Sequence, residues 1–122
     1  EGTVKEGWKM YSLPMDNISN IKFSKKACSG PCFYQTTMKV GKRADTWLDT
    51  RGLHKGQLWL NKYNIGRFWS IGPVYSSYLP APWLKKGSNK ITFFDLQGGD
   101  NVALKSTNAP IWGDITNVSE AQ

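Results

Sequence analysis

Histidine occurs once in this chain, at His54, cysteine twice and glutamate three times, and each scarcity closes off a chemistry. A single imidazole supplies neither a pair of metal ligands nor an acid–base relay when no carboxylate or nucleophile partner accompanies it, so His54 reads as an ordinary surface or turn residue. Cys28 and Cys32 frame Cys-Ser-Gly-Pro-Cys rather than the Cys-x-x-Cys of redox enzymes. Gly30 and Pro31 can turn that loop back on itself, which favours a structural disulfide between the two sulfurs over a zinc site. No run approaches the eighteen apolar residues of a membrane helix, and Glu1-Gly2-Thr3-Val4-Lys5 has no apolar signal core, so a soluble piece of something longer is expected, with no membrane partner. The chain also lacks an internal repeat, a low-complexity linker and any amphipathic helix longer than a couple of turns.

What is present suits one globular domain. A chain of 122 residues with 39% hydrophobic side chains, including six Trp, five Tyr and five Phe, can fill a single core, which excludes disorder despite the many Lys and Asn. The net charge of +7 favours polyanions in principle. Its carriers are spread as Lys22, Lys25, Lys26, Lys39, Lys42, Arg43, Lys85, Lys86 and Lys90 without a dense run, so a solvated face is the preferred reading. Nucleic acid is not an expected partner, because no basic helix or recognisable binding motif accompanies the aromatics. Asn17-Ile18-Ser19 and Asn117-Val118-Ser119 are N-glycosylation sequons, which together with the cysteine pair point to an extracellular or lysosome-like compartment.

Short strands separated by turn residues dominate the pattern. Phe33 to Val40, Thr46 to Asp49, Gln57 to Asn61, Val74 to Leu79 and Asn89 to Leu96 are rich in β-branched and aromatic residues with partial alternation. Their spacing of roughly ten residues predicts an all-β sandwich. Pro80 and Pro82 remove backbone donors, so Ala81-Pro82-Trp83-Leu84 is expected as a loop or single helical turn, followed by a turn at Lys86-Gly87-Ser88-Asn89. The fold is expected as one domain over residues 1–122, with its core at about 7–105 and a loosely held tail over 106–122.

A series of motifs then carries a family resemblance. Gly7-Trp8-Lys9-Met10-Tyr11-Ser12-Leu13-Pro14-Met15 resembles a Trp-x-x-Tyr-x-Leu-x-Met opening, and Gly30-Pro31-Cys32-Phe33-Tyr34 resembles Pro-x-Phe-Tyr before a long strand. Asp45-Thr46-Trp47-Leu48-Asp49 and Lys55-Gly56 follow at the same spacing. Asn61 with Ile65-Gly66-Arg67-Phe68-Trp69, then Gly72-Pro73 with Tyr78-Leu79-Pro80, complete the order. The whole resembles the non-catalytic β-sandwich domain toward the C-terminus of glycoside hydrolase family 35 β-galactosidases. Two residues depart from that pattern. Lys62 stands where the family commonly has Gly, so the Asn61-Lys62 turn must place a costly residue at positive φ or adopt another turn type; His54 stands where Trp often precedes Lys-Gly.

The resemblance implies an all-β jelly-roll sandwich of the galactose-binding-domain kind, an accessory module with no activity of its own. Hydrolysis of a β-galactoside needs two carboxylates facing across a sugar. Here Glu1, Glu6 and Glu120 lie near the ends and no aspartate falls in a family catalytic motif; in the full-length enzymes the pair sits in a separate TIM barrel. Two roles remain, recognition of a carbohydrate such as a galactose-containing glycan, or packing against the catalytic barrel of a parent enzyme. For recognition, Arg67, Trp69, Tyr75 and Trp112 are the candidates, since aromatic faces pack on pyranose C–H patches and a guanidinium fixes hydroxyls. Without a ligand the same residues read as hairpin packing, a loop brace and an edge cover, and Trp8, Trp47, Trp59 and Trp83 as core and edge anchors. Asp16, Asp95 and Asp100 would be the oxygen donors of a structural calcium, but no spaced acidic loop is present, and neither metal nor cofactor is expected.

Overall fold

In the computed structural model, which describes residues 2–26, 28–98 and 103–113, the regular structure begins at Cys32 and consists of antiparallel strands and one short helical turn. The strands are β1 (Cys32–Val40), β2 (Thr46–Asp49), β3 (Lys55–Leu60), β4 (Tyr63–Trp69), β5 (Ser76–Leu79), β6 (Gly87–Asp95) and β7 (Lys105–Thr107). A four-stranded sheet has the order β1-β6-β3-β4 and a three-stranded sheet the order β5-β2-β7. Leu58, Leu60, Phe68, Ile91 and Phe93 from the first meet Leu48 and Leu79 from the second in one buried cluster. Alternation dictates this arrangement, because residues two apart share a sheet face and a whole row is buried together. The expected all-β sandwich is therefore the fold.

Several local expectations need adjustment. The segment Gly87 to Asn89 is not a turn but the start of β6, paired with Val40, Lys39 and Met38, so the turn closes earlier. Val74 lies before β5 and makes only an isolated bridge to Trp112, since the Gly72-Pro73 step offers no continuous ladder. Trp8 anchors nothing: it is 74% exposed, and its indole donates only to the Lys5 carbonyl at 2.9 Å. Ala81–Trp83 forms the single helical turn, a 3₁₀ turn entered from extended Pro80. At the β3–β4 hairpin only Asn61 takes a positive φ, of 55°, so Lys62 escapes that conformation and the turn is of another type.

The inward row of β6 is Asn89, Ile91, Phe93 and Asp95, a pair of apolar residues bounded by two polar ones, all at most 3% exposed. Asp95 accepts from the backbone N–H groups of His54 (2.8 Å) and Gln97 (2.9 Å), which ties the start of β3 and the end of β6 together. Beside it, Gly56 of β3 runs so close to β6 that a Cβ there would lie 1.6 Å from the Phe94 carbonyl oxygen. Farther along, the β3–β4 register shifts between Leu58 and Trp59, a bulge that Gly66 accommodates at φ 120°.

At the end of β2, Arg51 folds back on Asp49, with its Nη2 2.7 Å and its backbone N 3.0 Å from the carboxylate oxygens. The Arg51 side-chain hydrogen bond holds the Asp49 carboxyl below the ordinary aspartate range. A depressed folded-state value stabilises the fold above about pH 4 and is lost as pH falls through the lowered value. Arg51→Ala is accordingly expected to lower the melting temperature slightly at neutral pH, by little because the Arg51 side chain is 62% exposed, and the gap to the parent is expected to close as pH falls below about 4. Melting curves collected between acid and neutral pH would check this; a gap that widens in acid would refute it.

Candidate functional site

Strands β3 and β4 present alternate residues away from the core, and the N-terminal segment passes over that outer face. Trp59 points outward yet is only 3% exposed, and Thr92 is 1% exposed, because residues of the 13–23 stretch lie across them. Between Leu13-Pro14-Met15 and the sheet is a cleft of about 360 Å³, within the range of small-ligand sites. Trp59, Phe94 and Leu96 make its apolar side; Lys55, Gln57, Asn64 and Arg67 are its polar groups. Met15 at its rim adopts φ 51°, an unfavourable conformation for a long side chain and of the kind found where backbone is held for a purpose.

The polar groups are ordered by short-range rules. Gln57 faces Arg67 across the hairpin, and Asn64 faces Trp59 beyond the bulge. Asn64 Oδ1 accepts from the Gly66 N–H at 3.0 Å and from Gln57 Nε2, which fixes both amides. Gln57 Oε1 and Asn64 Nδ2 are left without partners among the described residues. Arg67 also has no hydrogen bond or ion pair among them; its guanidinium carbon sits 5.1 Å from the centre of the Trp69 ring, which Lys55 Nζ approaches at 4.1 Å. A cation held beside an aromatic, with an amide acceptor and donor nearby, can hold hydroxyl groups above an apolar floor.

The four residues expected from the sequence fall into two pairs. Arg67 lines the cleft and Trp69 steadies it from beside. Tyr75 and Trp112 meet elsewhere: Val74 bridges to Trp112, Tyr75 N–H donates to the Ile111 carbonyl at 2.9 Å, and Gly113 N–H to Pro73 at 2.6 Å. The Tyr75 ring fills the space over Gly72 and Gly113, where a Cβ would approach it to 2.7 and 2.4 Å, while Trp112 is 64% exposed. Among the described residues no hydrogen bond or ring contact joins one pair to the other. Gln57 and Asn64 were missed by reading aromatics first; a turn set at Asn61-Lys62 puts Asn64 opposite Trp59, but Gln57 comes to face Arg67 only through the one-residue bulge between Leu58 and Trp59.

Other candidates resolve simply. Cys28 and Cys32 form a disulfide, Cα to Cα 6.4 Å. His54 does have a carboxylate neighbour, its Nδ1 lying 3.5 Å from Asp95 Oδ2, but that oxygen is already taken by the His54 backbone N–H. Asp16 lies at a second cleft, Asp95 is buried in its backbone bonds, and Asp100 and the Asn117 sequon are outside the described residues. Asn17 is exposed, its Oδ1 accepting from the Ser19 N–H at 2.9 Å. Among the described residues no three His, Cys, Asp or Glu side chains gather to hold a metal ion, and no helix is long and apolar enough to cross a membrane.

Residues 31–89 match the family described as the galactose-binding domain of beta-galactosidase. Relatives include a beta-galactosidase of Xanthomonas manihotis, 42% identical over 60% of this chain and 12% of its own length. Beta-galactosidase 1 of Dictyostelium discoideum is 37% identical over 72% of the chain and 15% of its own length. The human beta-galactosidase-1-like protein 2 is 31% identical over 88% of the chain and 18% of its own length. The chain thus spans less than a fifth of each of these relatives. Together the similarities support a galactose-binding domain of β-galactosidases.

Proposed function

With a galactose-binding domain of β-galactosidases as its match over residues 31–89, the chain is, we propose, a non-catalytic accessory module that binds a galactoside in the cleft beneath Leu13–Met15. The observation that carries this is the placement of an unpaired Arg67, beside Trp69, at a cleft of about 360 Å³ that is also lined by Lys55 and by the free ends of Gln57 and Asn64. The guanidinium and amides take the hydroxyls, and Trp59 and Phe94 pack on the C–H face. The module belongs toward the C-terminus of a family 35 glycoside hydrolase, whose catalytic carboxylates lie in another domain. An extracellular or lysosome-like setting suits the disulfide.

Titration of the chain with methyl β-galactoside is expected to saturate, and Arg67→Ala to weaken binding by about tenfold or more, the worth of one charged hydrogen bond. Failure of the folded chain to bind would overturn the reading. Binding lost in Trp112→Ala but kept in Arg67→Ala would move the site to the Tyr75–Trp112 pair.

A second reading is favoured by a separate observation. Trp8, Met10, Tyr11 and Leu13 are 74–89% exposed, a run of large apolar side chains that water does not favour. In a longer protein this segment is the surface that packs against the catalytic domain, and the module is then a scaffold with no ligand of its own.

A further inference from the structure

Basic residues scattered along the sequence are gathered by the fold. Arg43, Lys62, Lys85, Lys86 and Lys90 all line a second cleft, of about 1150 Å³, whose single acidic lining residue is Asp16. None of the five cations is in an ion pair among the described residues, where the one pair made by a lysine or arginine is Arg51–Asp49. Unpaired like charges around one concavity repel one another and focus a positive field into it.

The backbone presenting these cations is fixed. Asn89 is completely buried, and its side chain holds both the N–H and the carbonyl of Lys85, each at 2.8 Å. Asn61 Oδ1 accepts from the Lys90 N–H at 3.0 Å, and Asn61 Nδ2 donates to the Trp83 carbonyl at 3.2 Å. Lys62, Lys85 and Lys90 thus project from one polar knot, so their charges are brought together before any ligand arrives. That reduces the ordering cost of binding.

We propose that this cleft is a second binding site, distinct from the cleft at Arg67, and that it takes an acidic polysaccharide carrying sulfate or carboxylate groups. Its size admits several sugar units rather than one small anion. Four of the five cations are Lys, compact point charges suited to scattered sulfates or carboxylates, where bidentate phosphate recognition favours Arg. The wall aromatics, Tyr63 and Trp83, are stacked on each other at 4.7 Å and 11°, so a face of each is unavailable to a nucleic-acid base. Asn17, Ser19 and Ser88 add groups that bond sugar hydroxyls.

The test measures binding of the whole chain to heparin, to polygalacturonate and to a neutral galactan across a salt series. A triple variant, Lys62→Ser, Lys86→Ser and Lys90→Ser, is compared with a control that removes equal charge off the cleft, Lys5→Ser, Lys9→Ser and Lys39→Ser. Binding to one or both acidic polymers is expected to weaken with salt and to fall at least about tenfold in the cleft variant and less than about threefold in the control. Equal losses in both variants would reduce the effect to net charge and overturn the site. Competition by neutral galactan at equal strength, or tighter binding of a single-stranded oligonucleotide, would overturn the ligand class.

Discussion

Substituting alanine for Gly56 is expected to cost about 4 kcal/mol or more, a large share of the stability a domain of this size possesses. The added methyl would sit 1.6 Å from the Phe94 oxygen, 2.8 Å from its carbonyl carbon and 2.9 Å from Phe68 Cζ. The far end of a flexible side chain yields to a methyl group, but Phe94 is met through its backbone. Neither strand has room to retreat, because β3 is paired to β4 on its other side and β6 to β1. Separating them would also break the Leu96 N–H bond to Lys55 and disturb Asp95, which pairs with Gly56 in the ladder. Gly41→Ala is the control, since open space surrounds that position. Urea melts would show a collapse for Gly56→Ala and near-equality for Gly41→Ala. A Gly56→Ala protein within about 1 kcal/mol of the parent would mean that β3 and β6 are not held at this spacing.

Removal of the Asn89 side chain is expected to cost about 3–4 kcal/mol, because it is fully buried and makes four hydrogen bonds at once. Its Oδ1 accepts from Lys85 N–H and from Asn61 Nδ2, at 2.8 and 3.0 Å. Its Nδ2 donates to the carbonyls of Lys85 and Gly87, at 2.8 and 3.2 Å. Asn89→Ala leaves all four partner groups without this side chain. Asn89→Asp is the sharper probe: a carboxylate keeps the two acceptor contacts but turns two donors into charge against carbonyl oxygens. That defect should ease as pH falls and the introduced acid regains a proton to donate, so the gap between parent and Asn89→Asp should narrow from pH 7 to pH 4, before general acid loss intervenes. Chemical denaturation at the two pH values measures the gap. A gap that does not close, or an Asn89→Ala loss below about 1 kcal/mol, would remove the knot as a structural element.

The fold was legible in the sequence where alternation and turn chemistry agreed. Phe33 to Val40 and Thr46 to Asp49 form strands almost to the residue, because one face of each row is apolar and glycines or charges bound the ends. The start of β6 was not legible, since Gly87-Ser88-Asn89 has turn composition and becomes a strand only through pairing with β1, a long-range contact. The exposure of Trp8 was hidden for the opposite reason: aromatic content signals burial only if some other element is there to cover it. Arg67 and Trp69 were readable as a couple from their spacing of two on a strand, whereas Gln57 and Asn64 join them only through hairpin register. Charge was the least legible property. Lys62 and Lys90 are 28 positions apart in the chain, and only the knot around Asn61 and Asn89 makes them neighbours of one cleft.

The bulge in the β3–β4 pair bears on how the molecule keeps to itself. β4 ends its sheet, with no strand beyond it among the described residues, and its sequence Tyr-Asn-Ile-Gly-Arg-Phe-Trp is apolar enough to invite another copy to extend the ladder. The register slip at Leu58/Trp59 and the left-handed Gly66 interrupt the regular row of donors and acceptors that an incoming strand must match. The same residue count that tilts Asn64 toward Gln57 therefore also breaks the template for fibril-like growth, so one irregularity both shapes the cleft and guards the exposed margin of the sheet.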